Sequence, residues 1–193
     1  DNIQRAASQF DQADEGRLVL ATTHTQARYS LPEIVRAFRE RFPKVRLALR
    51  QASPSEIAQL LEAGEADIAV ATESLKTNPK FVCFPFFNWY HGVVVPQGHG
   101  LAKRVAQGEV LSLKALAEFP IITYHEGFTG RPMIDACFRR EGLAPDIVME
   151  ALDADVIKAY VSLGMGVGLI ASVAFDDQAD AGLVMLDASE IFS

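Results

Sequence analysis

Side chains able to hold an oxyanion crowd into one short stretch, Thr22, Thr23, His24, Thr25 and Gln26. The threonine hydroxyls and the carboxamide offer hydrogen-bond donors without charge. The stretch follows a strand-like run, Arg17 to Ala21, and precedes a helical one. Free backbone N–H groups and the positive dipole end at a helix start would add to those donors. Two readings stand here: an anion site, or a polar turn that only caps the helix. Thr72, with Glu73, leaves a third strand-like run at the same edge, and ligands of open α/β sheets bind at strand carboxyl ends. A second polar stretch, Thr123 to Arg131, reads TYHEGFTGR. Thr129 and Gly130 stand at another helix start, Gly127 and Gly130 permit close backbone approach, and Arg131 offers a cation to an anionic ligand. A plain threonine-capped helix is the alternative there.

Covalent chemistry finds little support. No G-x-S-x-G elbow occurs, and no nucleophile stands with a base in a recognisable context. His24, His91, His99 and His125 are scattered, without the spacing of a metal site, and read as surface or hydrogen-bonding residues. Gly164, Gly166 and Gly168 form a GxGxG string after a helical run and before a strand-like one, the reverse of the order a dinucleotide fingerprint needs. Cys83 and Cys137, the only cysteines, are too few for a disulfide framework and read as buried structural thiols.

The elements that would position these residues follow from periodicity. Leu31, Ile34, Val35, Phe38 and Phe42 recur at helical spacing, with Glu33, Arg36, Arg39 and Glu40 on the other face, Pro32 in the first turn and Pro43 ending the helix. A strand at Val45 to Arg50 follows. Ser53, Pro54 and Glu56 then spell a capping box opening a helix to Ala63, which Gly64 stops. Asp67 to Ala71 reads as a third strand, so strand and helix alternate as in a parallel sheet. Phe81 to Val95 turns β-rich, with Pro85 and Pro96 limiting pairing. Alternation resumes with helix Leu113 to Phe119, strand Ile121 to Thr123, helix Arg131 to Glu141, strand Ile147 to Glu150, helix Val156 to Leu163 and strand Gly168 to Ala171. Two α/β lobes are expected.

With 193 residues, 49% hydrophobic and 22% charged, the chain can bury a sizeable core. No apolar run approaches the about 18 residues that span a bilayer, and no signal peptide opens it, so a cytoplasmic location is expected. A formal charge of −7 leaves no basic footprint for nucleic acid in this stretch. Both ends read as interior to a longer protein.

Over Ala21 to Phe38, ATTHTQARYSLPEIVRAF, the sequence resembles the CysB branch of the LysR-type transcription regulators. The likeness continues through Arg41 to Glu73, through EGFTGR at Glu126 to Arg131, and through DADVIKAYVSLGMGVGLIAS at Asp153 to Ser172. THTQARY and DADVIK point to this branch. The resemblance implies two Rossmann-like lobes joined by crossover strands, the type 2 periplasmic-binding-protein-like fold, with a small ligand in the cleft. It divides the chain into the end of a linker helix (1–15), lobe I (16–91), lobe II (92–190) and the start of a return to lobe I (191–193). It implies that Thr23, Thr25, Gln26 and Thr72 bind a sulfate-like anion, with Thr22, His125, Phe128, Thr129 and Gly130 nearby. His125 stands where the branch has threonine, which leaves sulfate, thiosulfate, O-acetylserine or N-acetylserine, and adenylyl sulfate as candidate effectors. No cofactor or metal is expected. The resemblance further implies a homodimer of this domain, a homotetramer of the full protein, and promoter DNA bound through an N-terminal winged helix-turn-helix. Rival classes are a periplasmic-type oxyanion receptor and a small-molecule transferase or hydrolase.

Overall fold

The computed structural model describes residues 15–72, 75–76, 78–128 and 130–192. The linker helix expected at 1–15 therefore lies outside the described residues, Glu15 apart. The described chain falls into two compact units, one ending at Phe81 and the other beginning at Val82.

The first unit is built on three parallel strands, β1 (Glu15–Thr22), β2 (Lys44–Gln51) and β3 (Ile68–Val70), in the order β2-β1-β3. Parallel neighbours need a crossover between them, and helices supply it. Helix α1 (Pro32–Arg41) returns the chain from β1 to β2, and α2 (Pro54–Glu62) returns it from β2 to β3. The capping box forms as read: the Glu56 amide donates to the Ser53 hydroxyl, and the Ser53 amide donates 2.8 Å to the Glu56 carboxylate. These bonds satisfy donors that a helix start would otherwise leave to water. Gly64, at φ 68°, takes the left-handed conformation that ends α2. Ile57 then packs, fully buried, against Val19, Ala21 and Ala66. Helix α1 differs from expectation, because none of its residues is buried despite the apolar stripe.

The second unit holds a five-stranded mixed sheet, formed by β4 (His91–Pro96), β5 (Ile121–Tyr124), β6 (Ile147–Ala151), β7 (Val167–Ala171) and β8 (Leu183–Asp187), in the order β6-β5-β7-β4-β8. β5 runs parallel to β6 and β7, whereas β4 runs antiparallel to β7 and β8. Helices α3 (Gly100–Ala106), α4 (Leu113–Leu116), α5 (Arg131–Arg140) and α6 (Ala154–Ser162) connect the strands. The core joins Val93, Leu116, Ile121, Phe138, Val167 and Leu169. The three glycines after α6 serve the backbone turn and packing. Gly164 (φ 74°) ends the helix, and a Cβ on Gly168 would lie 2.8 Å from a Val161 methyl and 3.0 Å from an Ile157 methyl. Close approach of β7 to α6 is what these positions require.

Three expectations are corrected here, for the strand from Phe81, for Cys83 as a buried thiol and for the helix from Leu113. Strand structure begins only at His91: Phe81 to Tyr90 makes no ladder, and Val82, Phe84, Phe86 and Phe87 are exposed. β-forming side chains do not make a strand without a partner to pair with. Cys83 lies in that stretch and is exposed, while Cys137 is buried in the core. The expected helix at Leu113 to Phe119 is also shorter, ending at Leu116 with Ala117 as its cap.

Candidate functional site

In the first unit, Thr22 ends β1 and is paired with Val70 of β3, so Thr22 and Thr72 leave neighbouring parallel strands at the same edge. After Thr22 the chain does not wait for α1. His24 and Thr25 are already helical, and Gln26–Ser30 continues as a π-helical turn closed by the Leu31 amide on the Gln26 carbonyl, 3.0 Å. The expected arrangement, a polar turn ahead of a helix, is thus refined: Thr22 ends β1, Thr23 links it to the helical His24 and Thr25, Gln26 opens the π turn, and α1 starts only at Pro32. Such single π turns recur at functional sites.

The turn draws its polar residues inward. Thr22, Thr23, Thr25, Gln26 and Thr72 are all buried, and no charged residue of the described first unit is. The Thr22 hydroxyl donates to the Thr23 carbonyl at 3.4 Å. Thr23 is 1% exposed, and its buried hydroxyl has no hydrogen-bond partner among the described residues. A hydroxyl stripped of water and left unbonded lowers stability. His24, half-buried, lies 3.4 Å through Nδ1 from the Gln51 carboxamide at the end of β2. Chemically, this is a set of neutral donors suited to an oxyanion.

In the second unit, the segment after β5 carries the remaining candidates. His125 is exposed, with Nδ1 2.9 Å from the Glu126 carbonyl and its ring edge-on to Phe128. Phe128 is half-buried. Gly130 is buried and caps α5 in the left-handed conformation, φ 73°. Thr129 lies outside the described residues. Arg131 does not serve as an open cation. It is buried, donates to Asp135 (2.8 Å), to the Tyr124 carbonyl (2.8 Å) and to Glu150, and ties α5 to β5 and β6. Burial opposes its charge, but the bonds to Asp135 and Glu150 outweigh that and hold its pKa above the ordinary value. Its Glu150 partner is 19 residues away and has no local signature in the sequence.

His91, at the start of β4, is neither a surface residue nor a hydrogen-bonded one through Nε2 among the described residues. It is 2% exposed, its Nε2 has no hydrogen-bond partner among the described residues, and burial pushes its pKa down to about 4. Its ring stands edge-on to Trp89 at 4.8 Å and to Phe192 at 5.5 Å. A Cβ on Gly130 would lie 2.0 Å from its Nε2. Nothing local in the sequence marks this contact, which joins residues 39 apart.

Compared with known proteins, residues 11–191 match the family described as the LysR substrate binding domain. The chain is 54% identical over 192 residues to the HTH-type transcriptional regulator SsuR of Burkholderia cenocepacia, covering all of this chain and 61% of that protein. It is 50% identical over 191 residues to the HTH-type transcriptional regulator cbl of Escherichia coli, covering 99% of this chain and 59% of that protein. The chain thus spans about three-fifths of the length of these relatives. Among solved structures, the cofactor-binding domain of the Cbl transcriptional regulator is similar at a TM-score of 0.86 and 51% identity, over 93% of this chain and 77% of that one.

Proposed function

The chain belongs to the LysR substrate-binding-domain family, and from that premise we propose that it is the effector-sensing part of a transcription regulator of sulfur assimilation. Its α/β fold is the periplasmic-binding-protein-like fold of that family. The effector is a small sulfur-linked oxyanion or metabolite, of the class of sulfate, thiosulfate, an acetylserine or adenylyl sulfate. Thr22, Thr23, Thr25, Gln26 and Thr72, all in the first unit, hold its anionic group. The observation that carries this reading is the Thr23 hydroxyl, buried and without a partner among the described residues, just ahead of the π turn. A bound oxyanion supplies the acceptor that the hydroxyl lacks.

Sensing requires no covalent step. An effector with unequal affinity for two arrangements of the protein shifts their populations by that difference. The full protein acts as a homo-oligomer, a dimer through this domain and a tetramer overall, and meets promoter DNA through a helix-turn-helix outside this chain. That role places it in the cytoplasm; no helix among the described residues is long and apolar enough to cross a membrane. The relatives are transcriptional regulators by name, which favours this reading over an oxyanion receptor or an enzyme. Calorimetry with sulfate tests the site. Thr23→Ala is expected to weaken binding about three- to tenfold, the worth of one hydrogen bond, without lowering stability. Equal affinity in the two proteins removes Thr23 from the site.

A further inference from the structure

Three side chains of the first unit form no hydrogen bond among the described residues: the Thr23 and Thr25 hydroxyls and the Gln26 carboxamide. Their residues are 1%, 2% and 4% exposed. Buried polar groups are seldom left in this state, because each costs more unpaired than paired. The carbonyl oxygens around them are in the opposite condition. That of Thr22 accepts from the Ala52 amide at 3.1 Å, and that of Gln26 from the Leu31 amide at 3.0 Å. That of Thr23 accepts from the Ala27 amide at 3.0 Å and from the Thr22 hydroxyl at 3.4 Å. Among the described residues of this unit no carboxylate is buried beside them. The stretch therefore holds spare donors, while its backbone acceptors are taken up by the sheet and the turn.

A hydroxyl or a carboxamide can also accept, but only by turning a lone pair outward. If the ligand brings a proton of its own, one of the three side chains has to turn in that way. The hydrogen of that side chain is then left without an acceptor in a place from which water is excluded. The anion loses one donor, and the protein buries one unpaired. An anion without a proton lets all three side chains donate at once. Charge does not make this distinction, because sulfate and hydrogenphosphate can both be dianions.

We propose that this turn reads the protonation state of its ligand. It takes tetrahedral oxyanions that carry no proton at neutral pH, the class of sulfate, thiosulfate and sulfate esters, and rejects those that keep one, the class of hydrogenphosphate and hydrogenarsenate. The inference rests on the reading of Thr23, Thr25 and Gln26 as the anion site, and it lies wholly within the first unit.

Calorimetry on matched anions separates the proton from size. Sulfate and phosphate are alike in shape and nearly in size, as are selenate and arsenate, and only phosphate and arsenate carry a proton at neutral pH. The parent is expected to bind sulfate and selenate at least about tenfold more tightly than phosphate and arsenate, the worth of a lost hydrogen bond and an unpaired donor. Fluorophosphate, a phosphorus anion with the charge and electron count of sulfate and no proton, should bind more tightly than phosphate. Gln26→Glu exchanges a donor for a carboxylate that accepts, so it should weaken sulfate binding and narrow or reverse the preference. If the parent binds sulfate and phosphate alike while Thr23→Ala weakens both, selection by protonation is overturned and the anion site stands. Fluorophosphate held no better than phosphate overturns it as well, and a preference unchanged in Gln26→Glu overturns its assignment to these side chains. A parent that binds none of the five anions overturns the site reading and this inference together. If Gln26→Glu does not fold, the five affinities of the parent decide.

Discussion

The Thr23 hydroxyl gives up water on folding and gains no bond among the described residues, which separates its effects on stability and on binding. Gln26, buried beside it, is expected to act on binding in the same way: Gln26→Ala weakens sulfate affinity about three- to tenfold, read by calorimetry. His91 carries the residue-scale pH dependence. Its pKa is about 4 in the folded protein, against an ordinary value of about 6.5. As pH falls below about 6.5, the unfolded chain takes the proton first, so this term leaves stability intact above that value. It removes stability progressively down to about 4, at no more than about 1.4 kcal/mol per pH unit. Urea unfolding at pH 7.5 and pH 5 should show a drop in the parent that is smaller in His91→Phe. An equal drop in both would assign the acid sensitivity to other groups. The oxyanion cluster was legible in sequence because three threonines and a glutamine after a strand are a local pattern. His91 was not, because its meaning depends on Gly130, reached only through the tertiary fold.

At the scale of elements, regular periods and caps carried far. Ser53 and Glu56 placed the start of α2 because a capping box is a local hydrogen-bond exchange. Helix α3 was missed. Its cap is His99, whose Nδ1 accepts from the Leu101 amide at 3.2 Å while the ring lies on Phe119, and histidine is not among the residues that announce a helix start. The π turn was missed for a related reason, since its extra residue shows only in the Leu31 to Gln26 bond. The GxGxG string follows α6 and runs into β7, and the packing of Gly168 makes a prediction. Gly168→Ala should destabilise the protein by about 1–3 kcal/mol, because the new methyl meets β-branched side chains of α6 in a packed core. Gly98→Ala, with open space around its Cβ position but φ 81°, isolates the backbone cost for comparison. Chemical unfolding of both variants reads the two terms apart. A Gly168→Ala protein as stable as the parent would mean that α6 and β7 can separate at little cost.

For the whole molecule, the instructive misfit is α1. Its apolar stripe predicts a helix pressed onto a core, yet no residue between Pro32 and Arg41 is buried, and Ile34 is 46% exposed. Leu49 of the neighbouring β2 is 44% exposed as well. Apolar side chains gathered on one exposed face suit an interface, and for a homo-oligomer the default is a closed twofold dimer in which each copy uses the same surface. We expect α1 and β2 to be covered by a second copy of this domain. Ile34→Glu tests this with little harm to the monomer, because position 34 lies in the first turn of α1, where a carboxylate suits the positive end of the helix. In the dimer the same carboxylate would be desolvated without a partner, at a cost of about 3 kcal/mol or more, which weakens association by at least about a hundredfold. Sedimentation equilibrium should therefore show the parent as a dimer and Ile34→Glu as a monomer, with circular dichroism unchanged and sulfate affinity close to the parent's. A variant that sediments with the parent at every concentration would move the interface elsewhere. A parent that stays monomeric would leave the exposed face of α1 to a different partner.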